Sequence, residues 1–91
     1  MKQIELEGIT YEVIHNEKEG YDEELVKEKY TDYYKDYDYI VGDIAYSKLR
    51  LKGFYDSENK KATDLNNFKN LDQYIEKQCA YGCKYFVLKK V

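Results

Sequence analysis

Cys79 and Cys83 are the two thiols of the chain, spaced C-x3-C. On an unbroken helix, positions i and i+4 share a face, so the pair could bind a metal ion or form a redox couple. Gly82 between them argues for a helix end instead. Tetrahedral zinc asks for four ligands and His15 is the only histidine, so carboxylates would have to complete the set. In a cytosolic setting the thiols stay reduced, and free cysteines commonly pack as small apolar side chains. His15 could act as a general base, yet no motif sets it against Thr31, Ser47 or Cys83 as a nucleophile. Asp36, Asp38 and Asp43 are the residue types of a magnesium site, but no phosphate-cradling glycine loop accompanies them. A solvated acidic edge is the simpler reading. The sequence thus carries no catalytic set, no metal-ligand set and no cofactor motif. An enzyme or thiol-dependent sensor around Asp43, His15 and Cys79/Cys83 is the alternative to a binding protein.

The most informative stretch is Lys48-Leu49-Arg50-Leu51-Lys52-Gly53-Phe54-Tyr55. Strand alternation sends Leu49 and Leu51 to one face and Lys48, Arg50, Lys52 and Phe54 to the other. Three cations and an aromatic ring on one face make an anion-binding stripe, in which Arg50 can grip a phosphate bidentately. Lys52-Gly53-Phe54 resembles the start of an RNA-recognition strand, although Tyr55-Asp56-Ser57 departs from its continuation. The leading expectation is a non-catalytic binding module whose partner is RNA or an acidic protein surface. An edge strand whose charges blunt aggregation would look the same in sequence. Asp43 either pairs with Arg50 or leaves it facing a ligand.

Ninety-one residues are expected to form one domain over 1–91. Charged residues make up 36% and the hydrophobic set 43%, which excludes a disordered chain, and no apolar run approaches the roughly 20 residues that span a bilayer. Met1 leads directly into Lys2-Gln3-Ile4-Glu5 without an apolar signal core, so the expected location is the cytoplasm. Net charge is −3, too acidic overall for a general nucleic-acid binder. Residues 1–45 carry five Lys against 13 acids, a balance of −8, while 46–91 carry nine Lys and Arg50 against five acids, a balance of +5. The second half can attract an anion that the whole chain would repel. Twelve Tyr stand beside three Phe and no Trp. Tyrosine suits the half-buried margin of a small core, and exposed tyrosines could also form a self-association surface.

The elements that would position these groups follow from periodicity. Residues 3–15 read as a hairpin turning at Gly8. Asp22, Glu23 and Glu24 open a helix whose buried face is Leu25, Val26, Tyr30, Tyr33, Tyr34 and Tyr37. Strands are expected at 39–45 and 47–55, the first interrupted by Gly42 and Asp43. Residues 56–67 form a polar connection long enough to be functional or mobile. Asn70 and Gln73 have capping-box spacing for a second helix, and 84–90 is a final strand with an apolar middle, fit for a central position. The order is β-β-α-β-β-α-β, an α+β domain with two helices packed on a mixed or antiparallel sheet.

Tyr37-Asp38-Tyr39-Ile40-Val41-Gly42-Asp43, Leu49-Arg50-Leu51-Lys52-Gly53-Phe54 and the closing Tyr81-Gly82-Cys83-Lys84-Tyr85-Phe86-Val87-Leu88 resemble segments of the YutD-like family, small proteins of Gram-positive Firmicutes. The acidic stretch from Tyr21 to Tyr30 fits that family's helix, whereas Asp43-Ile44-Ala45-Tyr46 departs from its Trp-Gly pattern. The resemblance implies a cytoplasmic α+β domain and transfers no catalytic residue, substrate or cofactor.

Overall fold

Glu7 and Gly8 both adopt positive φ, 49° and 86°. Two such residues make the tight turn whose twist matches antiparallel strands. They join β1 (Gln3–Leu6) to β2 (Ile9–Glu17), paired antiparallel. A computed structural model describes residues 2–45, 48–78 and 84–91, so Cys79 and Cys83 lie outside the described residues. The order continues with α1 (Glu23–Lys29), β3 (Tyr39–Ala45), β4 (Lys48–Phe54), α2 (Leu71–Gln78) and β5 (Lys84–Lys90). One five-stranded sheet results, ordered β1-β2-β5-β3-β4, with every neighbouring pair antiparallel. The sheet is therefore antiparallel rather than mixed. The apolar closing segment occupies its centre, one of the covered positions that the residue pattern of 84–90 allows.

Each helix covers one face. Ile40, Leu49, Phe86 and Leu88 meet Ile4, Leu6, Tyr11, Val26 and Tyr30 on the α1 side. Tyr39, Val41, Phe54 and Val87 meet Phe68, Leu71, Tyr74 and Ile75 on the α2 side. A register shift between Val13 and His15 bulges β2: Val13 pairs with Leu88 on the α1 side and His15 with Val87 on the α2 side, whereas two residues apart in a regular strand share a face. The strand also runs to Glu17, two residues past the expected end.

The first helix is shorter than its periodicity suggests. Asp22 caps it by accepting from the Glu24 and Leu25 N–H groups, but Tyr30 turns to extended backbone (ψ 135°) and Thr31 follows it. A 3-10 turn, Asp32–Tyr34, takes over. Tyrosine and threonine are weak helix formers, and tertiary ring packing wins here. The tyrosine rings touch in series: Tyr11 with Tyr30, Tyr30 with Tyr34, Tyr34 with Tyr33, Tyr33 with Tyr37 and Tyr37 with Tyr55. Tyr33 is 67% exposed, so the expected buried stripe is a ribbon that runs from the core to the surface. The capping box is absent: Asn67 caps the turn Phe68–Asn70 ahead of α2, and Asn70 instead donates to the Asp64 carbonyl.

The ribbon carries a prediction about alkaline pH. Burial, then the hydrogen bond with Tyr30, pushes the Tyr11 phenol far up. Burial pushes Tyr21 up to about 12, and the hydrogen bond with Tyr33, then burial, does the same for Tyr37. An unfolded chain releases phenolic protons from about pH 10, before the folded one does. Stability is thus intact below about pH 10 and falls as pH rises from 10 through 12. Chemical denaturation at pH 8, 10 and 11 checks this; a constant midpoint would contradict it.

Candidate functional site

β4 is the terminal strand of the sheet, and its alternation holds as expected: Leu49 is buried on the α1 side, while Lys48 and Arg50 are exposed on the α2 side. Phe54 is a correction. At 1% exposure it belongs to the core, edge-on to Phe68 and Tyr74, and offers no ring for stacking. The strand is therefore cationic along its length and anchored by an apolar residue at its end.

Asp43 and Arg50 face each other across the β3–β4 ladder, and Arg50 Nε donates to Asp43 Oδ1 at 2.8 Å. The Asp43 side chain is 1% exposed and that of Arg50 46%, so a buried carboxylate is held by a cation that reaches the surface. Of the two readings left open by the sequence, the structural ion pair is the one observed. Tyr74 on α2 stands over the same pair; burial, then the Asp43 charge, raises its phenol. Lys52 Nζ lies 5.2 Å from the Phe54 ring centroid and 5.8 Å from that of Tyr74, which positions its ammonium at the mouth of this face.

Beside Lys52 a groove of about 140 Å³ opens between α2 and the 56–67 connection, lined by Phe54, Leu65, Gln73, Tyr74 and Lys77 among others. Leu65 is 82% exposed. The residues alone did not place Leu65, Tyr74 or Lys77 at this face; Tyr74 read only as part of the apolar side of the second helix. A single Leu inside a polar connection was the available signal for the first, but nothing local marked the other two.

The connection itself is tied down rather than loose. Asp38 Oδ2 accepts from the Asp56 N–H at 2.8 Å and from Asn59 Nδ2 at 3.0 Å. Asp36 accepts from the Tyr55 hydroxyl at 2.6 Å and from Lys61 Nζ. The Lys61 hydrogen bond, then that of Tyr55, holds the Asp36 carboxyl below its usual range, and the same bond pushes Tyr55 up to about 12. The three aspartates thus do not converge on one site: Asp36 keeps a solvated side chain, 56% exposed, while Asp38 is half-buried and Asp43 buried, and each serves a separate structural bond. Asp38→Ala is expected to cost about 1–2 kcal/mol and to open the connection to protease well before the sheet unfolds. Limited proteolysis with mapping of the first cut checks it; a first cut elsewhere would contradict it.

The alternative constellation does not assemble among the described residues. His15 stacks on Tyr85, with ring centroids 5.1 Å apart, and its Nε2 lies 3.4 Å from Glu17. Strand β5 stands between β2 and β3, which puts His15 and Asp43 two strand spacings apart, roughly 10 Å. No proton could pass directly between them.

Comparison with known proteins agrees with this fold. A family model described as "Putative antitoxin YutD-like" matches residues 5–89. The chain is 48% identical over 88 residues to "Putative antitoxin YutD" of Bacillus subtilis (strain 168), covering 97% of each. It is also similar to the solution NMR structure of the B. subtilis protein yutD, with a TM-score of 0.84 and 46% identity over 100% of this chain and 83% of that one. Among the described residues, no helix is long and apolar enough to cross a membrane.

Proposed function

This chain belongs to the YutD-like family, and we propose that it is a non-catalytic, cytoplasmic binding protein that captures an acidic protein partner through the cationic β4 strand. The observation that carries the reading is the terminal strand itself, with Lys48 and Lys52 held on the face where Asp43 already orients Arg50. An acidic protein fits this face better than RNA. The ring that would have stacked on a base, Phe54, is buried, and Tyr39 and Phe68 are stacked on each other at 3.7 Å. The family description, antitoxin, points the same way: carried to this chain, it makes a toxin protein the natural partner.

Cations on a rim steer and select a partner more than they add affinity, so reversal is the sharp test. In a pulldown from nuclease-treated Gram-positive lysate at low salt, the wild-type chain is expected to retain a protein that Lys48→Glu/Lys52→Glu loses by at least about tenfold. Retention should also fall at about 0.5 M salt, where exposed charges are screened within a few ångströms. Partners retained from untreated lysate but absent after nuclease would reassign the face to RNA. Equal retention by the reversed chain would overturn the reading.

A further inference from the structure

The β4 strand offers a partner more than charge. The Tyr55 N–H donates to the Asn66 carbonyl at 2.7 Å, and the Tyr55 carbonyl accepts from the Phe68 N–H at 2.9 Å. These bonds face away from β3, whereas the Phe54 carbonyl accepts from the Asp38 N–H on the inner side. Backbone groups alternate along a strand, so the N–H and C=O groups of Leu49, Leu51 and Gly53 also turn outward. Residues 66–68 cover the edge only at Tyr55, through one parallel bridge; from Lys48 to Phe54 no described strand pairs with it. The edge is a template for one more strand.

We infer that the acidic partner binds by adding an extended segment to β4 as a sixth strand, a proposal that rests on the reading above. The two faces of β4 specify the segment. On the α2 side, Lys48 and Lys52, to either side of the Asp43-held Arg50, call for acidic residues facing them, because opposite charges across a strand pair stabilise it. On the α1 side, Leu49 and the half-buried Leu51 call for apolar residues at the positions between. A second copy of this chain is a poor occupant. Antiparallel pairing of two β4 edges would set Lys48 and Lys52 of one copy against the same lysines of the other. The same repulsion keeps like edges apart while admitting an acidic strand.

The test uses an eight-residue peptide alternating glutamate and valine, and a counterpart methylated at every second backbone nitrogen, each titrated into the isotopically labelled full chain. The expected result is amide exchange slowed at least about tenfold at Leu49, Leu51 and Gly53, with the methylated peptide at least about tenfold weaker. Equal binding of the two peptides, with shifts at Lys48 and Lys52 but no slowed amides, would overturn strand addition and leave the acidic-partner reading standing. Binding of neither peptide would also overturn it, and the lysate comparison with Lys48→Glu/Lys52→Glu then decides the partner reading separately. Slowed exchange in the protein alone, growing with its concentration, would give the edge to a second copy and overturn the proposal.

Discussion

Gly42→Val is expected to lower the unfolding free energy by about 3 kcal/mol, and the melting temperature by roughly 12–24 °C. Gly42 pairs with Phe86 on β5 and with Leu51 on β4, and a Cβ built on it would overlap the Phe86 ring at Cζ, Cε1 and Cε2. Phe86 is fully buried, ringed by the α1-side core, so it cannot step aside without opening a void. The missing side chain at 42 is what lets the fully buried ring of the central strand lie against its neighbour. Phe86→Ala alone should cost about 3–5 kcal/mol, and the double variant should cost at least about 1 kcal/mol less than the sum, since the valine fills space the ring has left. Thermal or urea unfolding of the four proteins measures this coupling. Strict additivity would show that the glycine is not there for the ring.

Arg50→Ala is the second large effect, and it separates a structural role from a binding one. Removing the guanidinium takes the 2.8 Å bond away from an Asp43 side chain that is 1% exposed in the intact pair. Breaking a fully buried pair this way costs about 3–5 kcal/mol; with Arg50 reaching solvent, about 2–3 kcal/mol is expected. Adding Asp43→Asn to Arg50→Ala should restore part of the loss, because an amide is less costly to bury than an unpaired charge. No restoration in the double variant would mean that Asp43 does not depend on this partner. Lys48 is exposed and Lys52 half-buried against the Phe54 and Tyr74 rings, and neither holds a buried charge, so Lys48→Glu and Lys52→Glu should move stability less than binding. Arg50 should move both, which makes it the wrong single residue with which to test the partner.

Much of this fold is legible in the residues because alternation and apolar runs report local geometry. The Leu49/Leu51 alternation against Lys48, Arg50 and Lys52 sets the facing of β4, and the apolar middle of 84–90 marks a strand covered on both sides. The two-faced arrangement of the helices was not legible, since it depends on which face each strand lends to which helix. Tyr30 and Tyr33 show where periodicity misleads: a ring can satisfy helical spacing and still serve a tertiary ribbon that breaks the helix. At the site, the sequence offered Asp43 with Arg50 as a choice between pairing and ligand binding, and only register resolves it. Phe54 looked available because alternation placed it beside the cations; its burial comes from Phe68 and Tyr74, distant in sequence. Polar spacing alone could not show that Asp36 and Asp38 each hold a piece of the 56–67 connection.

The central claim, a cationic strand face that holds an acidic protein segment, is tested most directly by titrating the glutamate–valine peptide into wild type and Lys48→Glu/Lys52→Glu at about 0.05 M and 0.5 M salt. The account predicts binding to wild type that weakens at least about tenfold at the higher salt, and none to the reversed chain despite an unchanged circular dichroism spectrum. Equal affinity for the two proteins at both salt concentrations would contradict it.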